Sequence, residues 1–436
     1  MERRLGLEQE FFLVDRTGRT SDRADEFLAL CRGTAGREGL DPAAFVGECT
    51  GSMVEINTPP AYTVKELAGS YLASLSLALR AGRELGIRLY PLATYPLPLT
   101  PALRDEPSYE LQALTIGRTR FLHAARCVGV HLHLELPAGT VDPDTIISPE
   151  APAAAREELL NLYNLATALD PALVALTRAS PFYEGRAPGL AVRTAFYRGS
   201  ALLGYEGLYT RLPEVGDLRP YARNVEELIE RQLAGYKVWL EAMDRSGVDW
   251  RLFFETGGNA LKASWNPVRL NAHGTVELRS IDGNYPEVVL AAAALVHGAA
   301  NRVRSEGLKV TPNEEVRAFS VSGDRLYVPG FEYLGRSLSY AAATEGVESH
   351  EVSAYLDSVF EFAAPDAPGQ EYLAGLRLPG GFYRTTEAGI LNENPLIIHV
   401  SIDEGLHLVR EACDELEEQV FRAISDQQEH KLIADG

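Results

Sequence analysis

Four short stretches of this 436-residue chain set acids, histidines and arginines two positions apart. LGLEQEFFLVD (residues 5–15) carries Glu8 and Glu10, and VGVHLHL carries His131 and His133. GTVELRS carries Glu277 and Arg279, while GECTGSMVEINT carries Glu55 with Glu48 seven residues before it. Side chains on a strand alternate between faces, so residues two apart emerge on one side, about 7 Å from each other. Two carboxylates held that close call for a cation. Singly, each stretch has an ordinary explanation: an edge strand with a solvated acidic face, a satisfied pair of core histidines, a common surface triplet. The coincidence argues otherwise, because solvated faces mix Lys, Ser and Thr with the acids, whereas these strands present Glu, His and Arg among apolar neighbours.

Carboxylates with a neutral imidazole suit Mg²⁺ or Mn²⁺ better than zinc, whose structural sites prefer thiolates. Several carboxylates in one site suit more than one ion. Such a site commonly holds a polyphosphate, with an arginine matching the charge that develops as a phosphoryl group moves. Arg279, two residues from Glu277, is placed for that. The same groups could instead activate a water, so a metal-dependent hydrolase stays open. No GxxxxGK loop followed by Ser or Thr occurs, which excludes a P-loop fold. Arg186 and Arg193, in GRAPGLAVR, could hold a substrate carboxylate, although surface arginines explain them as well. Arg269, in SWNPVRLN just before the GTVELR stretch, is a stronger candidate of the same kind.

These residues need strands to carry them and helices to back the strands. Helical periodicity runs through stretches beginning at Val64, Ala153, Asn224 and Leu406. Strand character marks LGLEQEFFLV, SMVEINT, VGVHLHLEL, ALKASWN and GTVELRSI. The strands alternate polar with apolar, unlike the continuous hydrophobic runs of a doubly wound parallel sheet. The expectation is an α+β fold with a mainly antiparallel sheet, one face on helices and one polar face turned to a ligand. The Pro-rich stretches around Pro91 to Pro107 and around Pro365 read as loops within one domain of residues 1–436.

Composition narrows the function. The hydrophobic share of 46% supports a sizeable core, and a formal charge of −20 argues against nucleic acid or an anionic membrane as partner. Four cysteines, without a CxxC pair, fit a reducing cytoplasm. No secretory signal is legible, and the apolar run from Val288 is too short to span a bilayer. The amount of apolar helix is compatible with a homo-oligomer.

The motifs together resemble those of the group 2 glutamate-cysteine ligases, the carboxylate-amine ligases of the glutamine-synthetase-like superfamily. The E-x-E strand, the Glu48–Glu55 pair, the H-x-H strand, LTRASPFYEGRAPGLAVRTAFY and WNPVRLNAHGTVELRSID follow the family's order over residues 5 to about 300. The resemblance implies a curved, mainly antiparallel sheet forming a funnel, flanked by helices, with ATP and metal at one end and glutamate at the other. It implies Glu10, Glu48 and Glu55 as ligands of an inner metal and Glu8, His131 and Glu277 as ligands of an outer, nucleotide-associated one. Arg279 would meet the transferring phosphoryl group, and His133 and Arg193 the amino acid. The activity implied is ATP-dependent ligation of glutamate to an amine such as cysteine through an acyl phosphate. No segment after about residue 310 matches the family, and the C-terminal part, residues 301–436, ends in a helical tail. Asn266 stands where the family usually has an aspartate, which leaves another amine or acid open.

Overall fold

The computed structural model describes residues 3–199, 201–363, 369–378, 380–394 and 399–434. Its strands, in chain order, begin with β1 (Leu5–Asp15), β2 (Phe45–Gly47), β3 (Met53–Asn57), β4 (Ile87–Tyr90), β5 (Gly129–Glu135), β6 (Val141–Asp142) and β7 (Ile146–Ile147). They continue with β8 (Val268–Asn271), β9 (Thr275–Asp282), β10 (Lys309–Asn313), β11 (Ser320–Ser322) and β12 (Arg325–Pro329). One open sheet runs in the order β2-β3-β1-β5-β9-β8, with β4 paired to the second half of β1. Every pairing in it is antiparallel. This is the α+β arrangement expected from the alternating strands.

Alternation along β1 decides what each face does. Leu5, Leu7, Phe11 and Leu13 enter the main core, whose members run from Leu5 to Val420. The helices Val64–Leu85, Ala153–Leu176 and Pro286–Ser305 cover that side, against β1, β9 and β5 respectively. Gln9 is the polar exception on this face, and it is satisfied: its amide donates to the Asn284 carbonyl at 2.7 Å and its oxygen accepts from the Tyr71 hydroxyl. On the opposite face Phe12 packs with Tyr90 and Tyr95, ring centroids 6.2 and 6.3 Å away, and closes one end of the polar surface. Each buried Leu or Phe contributes about 1.5–3 kcal/mol, so a one-residue slip of β1 would be strongly opposed.

The four periodic stretches form the helices Val64–Leu85, Ala153–Leu176, Val225–Arg245 and Ile402–Ala434. The first begins at a capping box, Thr63 with Glu66, and ends on Gly86 in the left-handed region at φ 68°. Among the described residues Ala153–Leu176 is the one helix long and apolar enough to cross a membrane, yet 89% of its apolar window lies inside the protein. From Leu162 to Leu176 every residue is buried, which is why that part carries no polar stripe.

ALKASWN is not a strand. Gln232 Nε2 donates to the Ala260 carbonyl and Asn259 Oδ1 accepts from the amides of Leu261 and Lys262, which bends the segment into a turn, and the strand follows at Val268–Asn271. The proline-rich stretch between Tyr90 and Pro107 runs without a helix or strand, as expected. The loop around Pro365 lies outside the described residues. All four cysteines are buried and unpaired.

Candidate active site

The sheet register brings the polar residues together. Glu10 stands directly opposite Glu55, Glu8 opposite His131, and His133 opposite Glu277, which in turn faces Arg269. A break in register lies between Val130 and Leu132, where β9 accommodates an additional residue. The alternation that turns Glu277 to the polar face turns Arg279 there as well and Ser280 to the helices, where Ser280 bonds Asp170.

Two groups of three side chains bring ligand atoms within 4.8 Å of one another: Glu8, His131 and Glu277, and Glu10, Glu55 and His131. His131 thus stands between the two groups instead of with the outer one alone. Its Nδ1 lies 3.1 Å from Glu8 Oε2, while its buried Nε2 has no hydrogen-bond partner and sits 4.0 Å from Glu10 Oε1. An imidazole held at one nitrogen by a carboxylate and left open at the other is the form in which histidine binds a metal. His133 Nε2 is likewise buried without a hydrogen bond, 3.2 Å from Glu8 Oε1, with its Nδ1 on Thr275 Oγ1 at 2.9 Å. This oxygen-rich set with an open imidazole fits Mg²⁺ or Mn²⁺. Glu48 belongs to neither group; it sits beyond β2, with the Tyr109 hydroxyl 3.5 Å away.

Electrostatics divide the carboxylates. Burial and then the charge of Glu10 push the Glu48 carboxyl up to about 8, and burial with Glu48, Glu8 and Glu10 raises Glu55 well above its ordinary range. At Glu8 burial acts in the same direction but loses to the hydrogen bond from His131 and to the His133 imidazole 3.2 Å away, which hold the carboxyl below its ordinary range. Burial also opposes the charge on His133, yet Glu8 and Glu277 raise its pKa; burial and Arg279 lower that of His131. The Glu10, Glu48 and Glu55 end is short of positive charge. The Glu8 and Glu277 end is not.

Glu277 is fully buried and held by four donors. Arg269 meets it with two nitrogens, at 2.7 and 3.1 Å, Asn271 Nδ2 at 2.6 Å, and Arg279 Nη1 contacts Oε1. Burial would raise its pKa, but Arg269 and Arg279 hold it well below the carboxylate range. Arg279 does not pair with Asp282, whose carboxylate accepts the Ala179 N–H. Its buried Nε carries no hydrogen bond.

Arg193 is 5% exposed; it donates to the Arg279 carbonyl at 3.0 Å and lies over the Tyr197 ring at 5.2 Å. It occupies the space above Gly129, where a Cβ would stand 2.1 Å from its Nη2. Gly129→Ala should therefore displace Arg193 and cost about 1–3 kcal/mol, read as a lower urea midpoint. Adding Arg193→Ala should recover part of that loss, and strict additivity of the two would contradict the contact. Arg186 is not in the cluster. It is exposed in the Tyr183–Arg186 turn, because the backbone pairing of those two residues spends the segment on a tight reversal.

Asn266 is buried, with its Nδ2 on the Asp217 carbonyl at 2.7 Å and its Oδ1 accepting from Ser264 Oγ. An aspartate has no donor for that carbonyl, which accounts for the amide at this position. Asn271, Tyr109 and Tyr197 were not singled out in the sequence. The R-x-N alternation of Arg269 and Asn271 on one strand is the signal that identifies the first; the other two lie on helical segments and leave no such mark.

A model of glutamate-cysteine ligase family 2 matches residues 4–318. A Rubrobacter xylanophilus protein provisionally named glutamate–cysteine ligase 2-3 is 27% identical over 230 residues, 52% of this chain and 55% of that protein. A Pseudomonas aeruginosa protein provisionally named glutamate–cysteine ligase 2 is 27% identical over 190 residues, 43% of this chain and 44% of that one. The chain spans about half the length of the curated relatives it matches. Among solved structures, a bifunctional glutathione synthetase from Pasteurella multocida aligns with 96% of this chain and 53% of its own, at a TM-score of 0.52 and 16% identity. That likeness shows the fold alone, an α+β arrangement on an open antiparallel sheet. The family match runs from before Glu8 to beyond Arg279, through every strand that builds the polar face and over more than half of the protein, and the chain belongs to glutamate-cysteine ligase family 2.

Proposed function

We propose that the protein is an ATP-dependent carboxylate-amine ligase that joins the γ-carboxylate of glutamate to an amine. The observation that carries this reading is the pairing of two carboxylate–imidazole groups, each with ligand atoms inside 4.8 Å, beside a buried arginine whose Nε is open. Family membership supports it, as does the acidity of the chain: an anionic nucleotide reaches such a surface only where local cations reverse the field.

Glu10, Glu55 and His131 Nε2 would hold one Mg²⁺ or Mn²⁺, with Glu48 behind it, and Glu8 would hold a second beside Glu277, steadied by His131 Nδ1. Bound there, the ions would neutralise phosphate charge and align the nucleotide. The protein's own groups account for the rest. In the first half-reaction an oxygen of the glutamate γ-carboxylate attacks the γ-phosphorus of ATP, the bond to the ADP oxygen breaks, and an acyl phosphate forms. Arg279 would match charge on the equatorial phosphoryl oxygens. In the second, the amine nitrogen attacks the acyl carbon, phosphate leaves, and the nitrogen gives up a proton. Arg269 and Asn271 keep Glu277 ionised and in place. Arg193 and His133 would face the amino-acid donor. We also infer that residues 301–436 form one unit with the sheet, since the core that includes Leu5 also includes Val420.

ADP release tests the reading. With Mg²⁺ and ATP, turnover should require both an acid with a side-chain carboxylate, glutamate foremost, and an amine, cysteine among those tried. Rapid hydrolysis of amides or esters without nucleotide would place the chain with metal-dependent hydrolases instead.

A further inference from the structure

A cavity of about 570 Å³ opens beside the site, between the helix Ala153–Leu176, residues 194–199 and 202–218, and the segment around Phe331 to Ser339. That volume lies in the range that encloses a drug-sized molecule. Two of its walls are π-helical turns, Thr194–Arg198 and Tyr333–Leu338, a distortion that recurs at functional sites. Thr194 and Arg198 line both this cavity and the narrow crevice where Arg193 and Arg279 meet. The cavity therefore abuts the position at which the acyl phosphate would form.

Its charges do not balance. Arg198 is spent on Asp170, with two contacts of 3.0 and 3.1 Å, and on Ser280 Oγ at 3.1 Å. Arg336, at the rim, pairs with Glu332 at 2.8 Å. Asp217 has no such partner among the described residues: its carboxylate accepts one hydrogen bond, from the neighbouring Leu218 N–H at 2.8 Å. Burial raises the Asp217 pKa, against the charge of Arg198, which makes no hydrogen bond or ion pair to it among the described residues. Around it the walls are apolar, including Val174, Leu203, Tyr209 and Phe331.

We propose that this cavity binds the amine co-substrate, and that the amine is a primary amine with an apolar or aromatic body and no carboxylate of its own. The proposal rests on the ligase reading. An ammonium group would supply the cation that Asp217 lacks, passing a proton to that carboxylate to free the nitrogen lone pair for attack, and the apolar body would fill the space. A carboxylate on the same molecule, as in cysteine, would meet Asp217 with like charge, and both neighbouring arginines are already neutralised. Neither Asp217 nor Leu203 belongs to the carboxylate, histidine and arginine machinery, so substitutions there separate amine binding from phosphoryl transfer.

The test uses the full chain with glutamate, ATP and Mg²⁺, and compares ammonia, cysteine and phenethylamine in stimulating ADP release. Phenethylamine should give the lowest KM. Asp217→Asn should raise that KM about tenfold or more while leaving the KM values for ATP and glutamate within twofold, the pattern of a lost substrate contact. Leu203→Trp should raise the KM for phenethylamine and spare ammonia, which needs no apolar space. Calorimetric titration of phenethylamine into wild type and both variants, each checked by thermal melt for folding, reads the site without turnover. Amine-stimulated ADP release with phenethylamine KM and affinity unchanged in both variants would overturn the assignment and leave the ligase reading intact. Absence of ADP release in wild type with every acid and amine would overturn the ligase reading. Calorimetric binding that Asp217→Asn fails to weaken would sink the site independently.

Discussion

Arg279→Lys should lower kcat by about a thousandfold, the scale on which an arginine stabilises a transferring phosphoryl group, with nucleotide KM changed only a few-fold. The reason lies in geometry more than in charge. The Arg279 side chain is 10% exposed, one nitrogen is committed to Glu277, and its Nε is buried without a partner. Burial disfavours the charge, but Glu277 outweighs it and keeps the guanidinium protonated. A planar fork can hold Glu277 with one edge and present another to a substrate oxygen, whereas a lysine ammonium is a single point. Glu277→Ala is the companion variant. Four donors converge on Glu277, so its removal leaves two arginines uncompensated and should weaken binding of the metal–nucleotide in the ground state. Steady-state kinetics on both variants distinguish the roles. A lysine variant with near wild-type kcat would remove Arg279 from the chemistry.

The polar face of this sheet was legible because β pairing is local in its rules. Glu8 and Glu10, His131 and His133, Glu277 and Arg279 had to emerge in pairs, and their partners followed once the strands were ordered. Arg279 follows Glu277 by that same alternation; what the sequence does not display is the additional residue that β9 takes up between Leu278 and Ile281. The double role of His131 was hidden as well. It depends on which nitrogen Glu8 engages, a matter of side-chain position. Arg186 and ALKASWN mark the opposite case, in which local composition suggested a site and a strand but a local backbone pairing at Tyr183–Arg186 and a long-range hydrogen bond from Gln232 to Ala260 accompany turns at both. The cavity at Asp217 had no sequence signal, since its walls come from segments more than 150 positions apart.

The crowding of carboxylates at the other end of the cluster yields an expectation opposite in sign for activity and for stability. Glu55→Gln should cut metal-dependent turnover by at least about a hundredfold, as loss of a ligand is worth more than loss of the groups that orient one. In metal-free protein the same change should raise the melting temperature, by a gain on the order of 1 kcal/mol. Glu55 is buried against Glu48, Glu8 and Glu10, and all of these raise its pKa. Glu48 shares the condition, its carboxyl pushed from 4.5 up to about 8 by burial and Glu10. An acid whose folded pKa exceeds its unfolded one favours folding fully below the unfolded value, and that contribution is lost as pH rises through the folded value. Metal-free wild type should therefore lose melting temperature as pH climbs from about 4.5 through about 8, and Glu48→Gln should flatten the slope. Saturating Mg²⁺ should flatten it too, with proton release on binding, because the ion takes the place of the protons these carboxyls hold. Thermal melts across that pH range, with and without Mg²⁺, read all of this in one series. A wild type whose melting temperature ignores both pH and Mg²⁺ would show that the four carboxylates are paired by something other than a metal.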